Sequence, residues 1–201
     1  MTNLKSYNAI ADVWAKTRTA FYGREQVYLD AFLDGLNVPS PILDLGCGTG
    51  RPMAEYILQQ GHEITGVDQA VGLLKHARAS FPQAVWMEAS IESFMSSQKF
   101  AGIVCWDALF HIERAKHEGL LQRMCDMLDE DGRLILTVGG SAHPAFEDTM
   151  FGEIFFYDSH PPEQVLELLR KQGFEIVIGE FMNQPTPGRD KGRYAIVARR
   201  K

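Results

Sequence analysis

The amino-acid sequence predicts a doubly wound α/β fold: a mostly parallel seven-stranded sheet with an antiparallel C-terminal hairpin strand and N-terminal helices. Three observations carry this expectation. Short apolar runs alternate with helix-period segments from about residue 40 onward. The first strand-to-helix turn, Gly46-Cys47-Gly48-Thr49-Gly50, holds three glycines at alternate positions. The last two apolar runs are joined by a Pro/Gly turn too short for a crossover helix.

In order along the chain, Ile10, Val13 and Trp14, then Val27, Leu29, Phe32, Leu33 and Leu36, recur at helical spacing, and Pro39 and Pro41 stop that pattern. Ile42 to Leu45 reads as a buried strand ending at Gly46. A helix from about Arg51 is closed by Gly61, and residues 63–67 form the next strand, ending at Asp68. Leu73, Leu74 and Ala77 mark a second helix before Pro82. Residues 84–88 are a third strand, 91–97 a short helical or irregular piece, and 101–106 a fourth strand. Leu120, Leu121, Met124 and Leu128 predict a helix that Gly132 ends, and 134–138 are the fifth and most apolar strand. Residues 139–160 read as a long loop. Pro162 opens a last helix, closed by Gly173, and strands over 174–182 and about 192–199 form the antiparallel edge. The whole is expected to be one domain over 1–201, with a helical cap at 1–38 and the core at 39–201.

Composition narrows the function. With 45% hydrophobic residues and 23% charged, including 12 Phe and 3 Trp, the chain is ordinary for a globular protein. A net charge of −6 without a basic run argues against nucleic acid. Three widely spaced cysteines give neither a CxxC pair nor a disulfide framework. The start, Met1 to Asn8, has no apolar leader core, and no run approaches the roughly 18 apolar residues of a membrane span. A cytoplasmic protein with no membrane partner is expected. The histidines show no HxH or HExxH spacing, so no metal is expected.

The glycine turn lies where doubly wound sheets bind ligands, at the carboxyl ends of the strands. A dinucleotide is one reading. Against it, the spacing is GxGxG, and Asp44 stands two residues ahead of Gly46. A carboxylate beside a diphosphate costs a few kcal/mol at about 4 Å and an effective dielectric near 20. No GK[ST] follows, which excludes a P-loop. S-adenosylmethionine carries a sulfonium and an ammonium and no phosphate, so an acid there is favourable. Asp68 can offer two acceptor oxygens to its ribose hydroxyls.

Asp44-Leu45-Gly46-Cys47-Gly48-Thr49-Gly50 and Gly66-Val67-Asp68 closely resemble the signature of the class I S-adenosylmethionine-dependent methyltransferases, a Rossmann-like family. The resemblance continues through Trp106 to Ile112, Met127 to Leu134 and Leu168 to Phe174, and covers roughly residues 40–199. It implies that Asp44, Gly46, Cys47, Gly48 and Gly50 pack on the methionine part and that Asp68 holds the ribose. Gln69 and Ile91 border the adenine, with Cys105 at the rim of strand four. Where family members commonly carry an acid for the adenine amino group, this chain has Ser90. Tyr7, Trp14 and Arg18 of the N-terminal segment are expected to cover the donor, Tyr7 and Arg18 toward its carboxylate.

The acceptor is expected to be a small molecule. Trp106 would wall the methyl site, and His111 is a candidate base because its pKa lies nearest working pH. Cys105-Trp106-Asp107-Ala108 departs from the [DN]PP[YFW] motif of methyltransferases acting on DNA or glutamine amides. His143, Tyr157 and His160 are candidate acceptor contacts. A non-catalytic sensor of S-adenosylmethionine or S-adenosylhomocysteine, and an NAD-dependent oxidoreductase, remain the alternatives; acceptor atom and oligomeric state are open.

Overall fold

The computed structural model describes residues 3–188 and 190–201. Met1 and Thr2 of the expected cap and Arg189 of the expected 185–192 turn lie outside the described residues. Two helices come first, α1 (Leu4–Thr17) and α2 (Glu25–Leu33). The alternating unit follows: β1 (Pro41–Leu45), α3 (Met53–Gln59), β2 (Glu63–Asp68), α4 (Val71–Ser80), β3 (Val85–Glu88), β4 (Phe100–Cys105), α5 (His117–Met127) and β5 (Leu128–Gly139). A hairpin, β6 (Phe146–Met150) and β7 (Glu153–Tyr157), precedes α6 (Pro162–Lys171), β8 (Phe174–Asn183) and β9 (Arg193–Arg200).

Among the described residues the main sheet has seven strands in the order β3-β2-β1-β4-β5-β9-β8, parallel except for β9, which pairs antiparallel with both neighbours. The strand order reverses between β1 and β4, which leaves a crevice at their carboxyl ends. Residues Ala195 to Ala198 of β9 are all fully buried, as an interior strand requires, whereas in β8 at the edge only Phe174 is buried. The expected antiparallel strand is therefore the second from the edge.

Two apolar clusters fill the faces of the sheet. One gathers Leu43, Ile103, Leu121, Leu136 and Leu169 beneath α5 and α6, the other Phe32, Ile42, Ile57, Leu74 and Trp86 beneath α2, α3 and α4. The expected N-terminal cap thus divides. Tyr28, Leu29 and Phe32 of α2 are buried in the core, and only α1 lies over the carboxyl-end crevice, packed on α4 and β7.

Two expected elements differ. Helix α5 stops at Met127, because Leu128 turns extended and pairs with Phe100 of β4. Its burial, which fits the helical period, serves the sheet instead. Gly132 therefore lies within β5, beside the bulge between the Phe100–Leu128 and Gly102–Arg133 pairings, where Asp131 adopts φ +62°. Residues 91–97 take the irregular alternative, as turns and bends. The 139–160 loop contains the β6–β7 hairpin, closed by the two-residue turn Phe151-Gly152 with both φ values positive (+52° and +85°). No described helix is long and apolar enough to cross a membrane.

Candidate active site

Thirteen of the residues expected at the site line one cleft at the β1–β4 crevice: Tyr7, Trp14, Arg18, Asp44, Gly46, Cys47, Gly48, Asp68, Gln69, Ser90, Ile91, Trp106 and His111. The cleft encloses about 980 Å³ counted to its open mouth.

The floor is built from main chain. As β1 ends, the N–H groups of Gly46 and Cys47 both donate to the Val67 carbonyl of β2, at 2.8 and 3.1 Å, and bend the chain into the turn. Gly46 has φ +78°, and a Cβ there would lie 2.5 Å from the Cβ of Ala108. Gly48 has φ +55°, and its Cβ position faces open cleft, with nothing nearer than Trp14 Nε1 at 3.9 Å. Gly48 is thus the glycine that lets a ligand meet the backbone. The expectation for Gly50 is corrected: it faces the core, where a Cβ would stand 2.9 Å from Trp86. Cys105 is corrected likewise. Alternation along β4 turns it into the α5 side of the core, where burial pushes its thiol pKa up to about 12.

Two acids border this turn. Asp44 is 3% exposed, and none of the described residues gives its carboxyl a hydrogen bond. Burial, and then the charge of Asp68, raises its pKa to about 7. Asp68 accepts from the Gly48 N–H at 2.9 Å through Oδ2 and from the Ala70 N–H at 2.8 Å through Oδ1. Burial lifts its pKa while these amides hold it down. One lone pair on each oxygen stays available to a ligand. So the ligand-facing acid also ties the end of β2 to the turn after β1. Ser90 reaches the cleft, where its Oγ accepts from the Glu92 N–H at 3.2 Å. Glu92, two residues on, lines the cleft as well and pairs with Lys116 at 3.1 Å.

The roof comes from α1 and the β6–β7 hairpin. Asn3 accepts from the Phe156 N–H and donates to the Phe156 carbonyl, each at 2.9 Å, so its amide mimics a neighbouring strand. Tyr7 Oη lies 2.8 Å from His111 Nε2, and His111 Nδ1 lies 2.8 Å from Asn3 Nδ2 and 3.0 Å from the Phe156 carbonyl. Burial lowers the His111 pKa to about 4 and raises that of Tyr7. At neutral pH His111 is therefore uncharged, with both ring nitrogens engaged.

Trp106 follows β4 and is almost wholly buried; its indole N–H donates to Glu25 Oε1 at 3.0 Å. Glu25, fully buried, also accepts from Arg18 at 2.7 and 2.8 Å and meets Arg193 at 3.5 Å. Arg193 grips Asp107 in turn, with Nη2 to Oδ2 at 2.5 Å. Asp107 sits at φ +51°, its N–H donating to Thr137 Oγ1 at 2.7 Å. This four-member ionic network, made by residues far apart in sequence, carried no sequence signal beyond the polar residues themselves.

The expected acceptor contacts separate. His143 and Tyr157 line a second cavity, while His160 lies off both cavities against the His117 ring at 5.6 Å. The cleft also takes in Asp107, and Asn3, Met53 and Leu73, which were not foreseen as site residues. Asn3 had no motif to mark it. Met53 and Leu73 carry the apolar helix pattern that ordinarily denotes core.

Residues 42–132 match the family model described as a methyltransferase domain. The trans-aconitate 2-methyltransferase of Rhizobium etli is 29% identical over 115 residues, covering 55% of this chain and 44% of the relative. The O-methyltransferase resE of Aspergillus sclerotiorum is 27% identical over 150 residues, 68% of this chain and 55% of the relative. The chain thus spans about half the length of these relatives. Among solved structures, the Burkholderia thailandensis 1,6-didemethyltoxoflavin-N1-methyltransferase superposes with a TM-score of 0.71 at 23% identity, over 98% of this chain and 84% of that one. The magnesium protoporphyrin IX methyltransferase of Synechocystis PCC 6803 gives 0.73 at 17%, over 98% and 95%. Those structures hold S-adenosylhomocysteine and S-adenosylmethionine respectively, and the likeness to them shows the fold. The glycine turn and its two acids thus lie within the stretch matched by a methyltransferase-domain model, in a chain with the Rossmann-like methyltransferase fold.

Proposed function

We propose that this chain transfers the methyl group of S-adenosylmethionine to a small-molecule acceptor by direct displacement. The observation that carries the reading is the pairing of Asp44, a buried carboxyl without a hydrogen-bond donor, with the open backbone of Gly48 and the half-engaged Asp68. A cationic ligand with a diol and no phosphate answers all three. Asp44 faces its positive end, Asp68 takes the ribose hydroxyls, and Gln69, Ser90 and Ile91 border the adenine. Arg18, bound to Glu25 and the Ala20 carbonyl, acts as a strut of the wall.

The donor supplies an activated methyl group. A lone pair on the acceptor forms the new bond to the methyl carbon while the carbon–sulfur bond breaks. Its electron pair stays on sulfur as the neutral thioether, and the acceptor's proton leaves to water. The protein's part is alignment and exclusion of water. Trp106 and Asp107 hold the wall beyond β4, and we assign His111 to fixing Tyr7 over the cleft, since its lowered pKa makes it a weak base.

The test is a calorimetric titration with S-adenosylmethionine and S-adenosylhomocysteine, then a metabolite screen for S-adenosylhomocysteine release. Binding followed by acceptor-dependent release is expected. Absence of binding up to millimolar donor overturns the reading; binding without turnover of any acceptor favours the sensor.

A further inference from the structure

The second cavity, about 880 Å³ counted to its mouth, lies beside the donor cleft and shares none of its lining residues. Two pairs close the partition between them. Asp107 of the cleft grips Arg193 of the second cavity, and the His111 ring of the cleft meets the Tyr157 ring beyond it at 4.8 Å between centres. Recognition of a ligand in the cleft therefore has to come from the cleft's own side chains.

Those side chains sort by charge. Among the described residues, Asp44, Asp68, Glu92 and Asp107 line the cleft against Arg18 and Arg51. Asp107 is matched by Arg193 and Glu92 by Lys116. Arg18 commits Nη2 to both Glu25 oxygens at 2.7 and 2.8 Å and Nη1 to the Ala20 carbonyl at 2.7 Å. Arg51 is the exception. It gives no hydrogen bond to any described residue, and its acid neighbour Glu55, four residues on and likewise open to water, stands 3.4 Å from Nε. A charged N–H···O bond is shorter, about 2.7–2.9 Å. The Phe81 ring lies under the guanidinium, 5.5 Å to its centre, and steadies it without neutralising it.

Asp44 precedes the glycine turn and Arg51 follows it. The turn thus offers bare main chain at Gly48 between a carboxyl given no hydrogen bond and a guanidinium without a full partner. A zwitterion answers this arrangement, with its cationic groups toward Asp44 and its carboxylate toward Arg51. The guanidinium fork can hold that carboxylate through two parallel N–H groups.

We propose that Arg51 binds the α-carboxylate of the donor's methionine tail and makes the cleft specific for S-adenosylmethionine over its decarboxylated counterpart. The proposal rests on the donor reading above. Decarboxylated S-adenosylmethionine keeps the adenosine, the sulfonium and the amine, so Asp44 and Asp68 serve both donors alike. Discrimination falls to the one group that differs, and Arg51 is the cleft cation with hydrogen bonds left to give it. The carboxylate contact that the sequence suggested for Arg18 passes to Arg51, because Glu25 already holds Arg18.

Calorimetric titration of the full chain with S-adenosylmethionine and with decarboxylated S-adenosylmethionine tests this. The native chain is expected to bind the carboxylated donor at least about tenfold more tightly, the scale of a charged hydrogen bond. Arg51→Gln should bring the two affinities within about threefold of each other, by weakening S-adenosylmethionine and leaving the decarboxylated donor as it was. Arg51→Lys, which keeps the charge and loses the fork, should fall between. Melting temperatures should stay near the native value, since Arg51 is partly exposed and only loosely paired. Equal binding of the two donors by the native chain, or a preference that survives Arg51→Gln, overturns the role of Arg51 and leaves the donor reading standing. Failure of the native chain to bind either donor overturns the donor reading and this proposal with it.

Discussion

The two cavities that meet at Asp107 and Arg193 are built on opposite principles. The donor cleft is backbone at its floor and carries two carboxyls, one given no hydrogen bond by any described residue and one shared with main-chain amides. In the second cavity the ionic groups at the partition are matched within the protein, and Phe110, Phe146 and Tyr157 build one wall from stacked rings. A site left electrostatically incomplete is complementary to a charged ligand; one already complete discriminates by shape. The difference can be broken from either side.

The largest effect is expected at the completed side. Glu25 is fully buried and holds Arg18, Trp106 and Arg193 together. Glu25→Ala leaves two guanidinium groups short of a partner, and breaking a buried pair in this way costs about 3–5 kcal/mol. Urea unfolding should show that loss. A cost below about 1 kcal/mol would mean that the network is incidental.

The incomplete side should behave oppositely. Asp44→Asn removes a carboxyl whose burial is unfavourable in the free protein, so the free chain should melt at a higher temperature. Donor affinity should nonetheless fall by about 1.5–3 kcal/mol, the worth of a charged hydrogen bond. Calorimetry and thermal melts read both quantities, and a variant that loses stability without losing affinity would make Asp44 structural.

The same carboxyl gives a pH signature. In the free protein its pKa is raised from 3.8 to about 7. Folding therefore keeps it protonated at pH values where the unfolded chain has ionised it, and its contribution to stability is lost as pH climbs from about 4 through 7. A cationic donor needs the ionised form. Donor affinity should be full above pH 7 and decline below it by up to about tenfold per pH unit. A flat profile from pH 5.5 to 8, or one unchanged by Asp44→Asn, would remove Asp44 from the donor contact.

Much of the donor half was legible in the sequence because backbone geometry leaves signatures there. Glycines at 46 and 48 mark the turn, and the acids at 44 and 68 sit at strand ends that apolar runs define. Gly50 and Cys105 failed because a motif does not say which way each residue faces; alternation along β4 and the Trp86 ring decide that. The second cavity was largely illegible. Its hairpin escaped because a two-residue turn with both φ values positive is signalled by Asn-Gly or Asp-Gly, and here the pair is Phe151-Gly152. The partition joins residues 25, 107 and 193, a proximity that sheet topology creates.

The smallest expected effect bears on the partition itself. Tyr7→Phe deletes one hydroxyl, the partner of His111 Nε2 at 2.8 Å, and keeps the ring that packs edgewise on Phe155 at 4.8 Å and Trp14 at 6.2 Å. If His111 only fixes Tyr7, the loss is that of one hydrogen bond, about 0.5–1.5 kcal/mol, in stability or donor affinity. Turnover should then drop less than about tenfold, with the shape of its pH profile retained. If the pair relays a proton from the acceptor, turnover should fall by roughly a hundredfold or more, because general-base contributions run to about 10²–10⁴. It would also lose a limb of its pH profile, with donor affinity unchanged. The lowered pKa of His111 and the raised pKa of Tyr7 both oppose proton transfer between them, which favours the smaller loss.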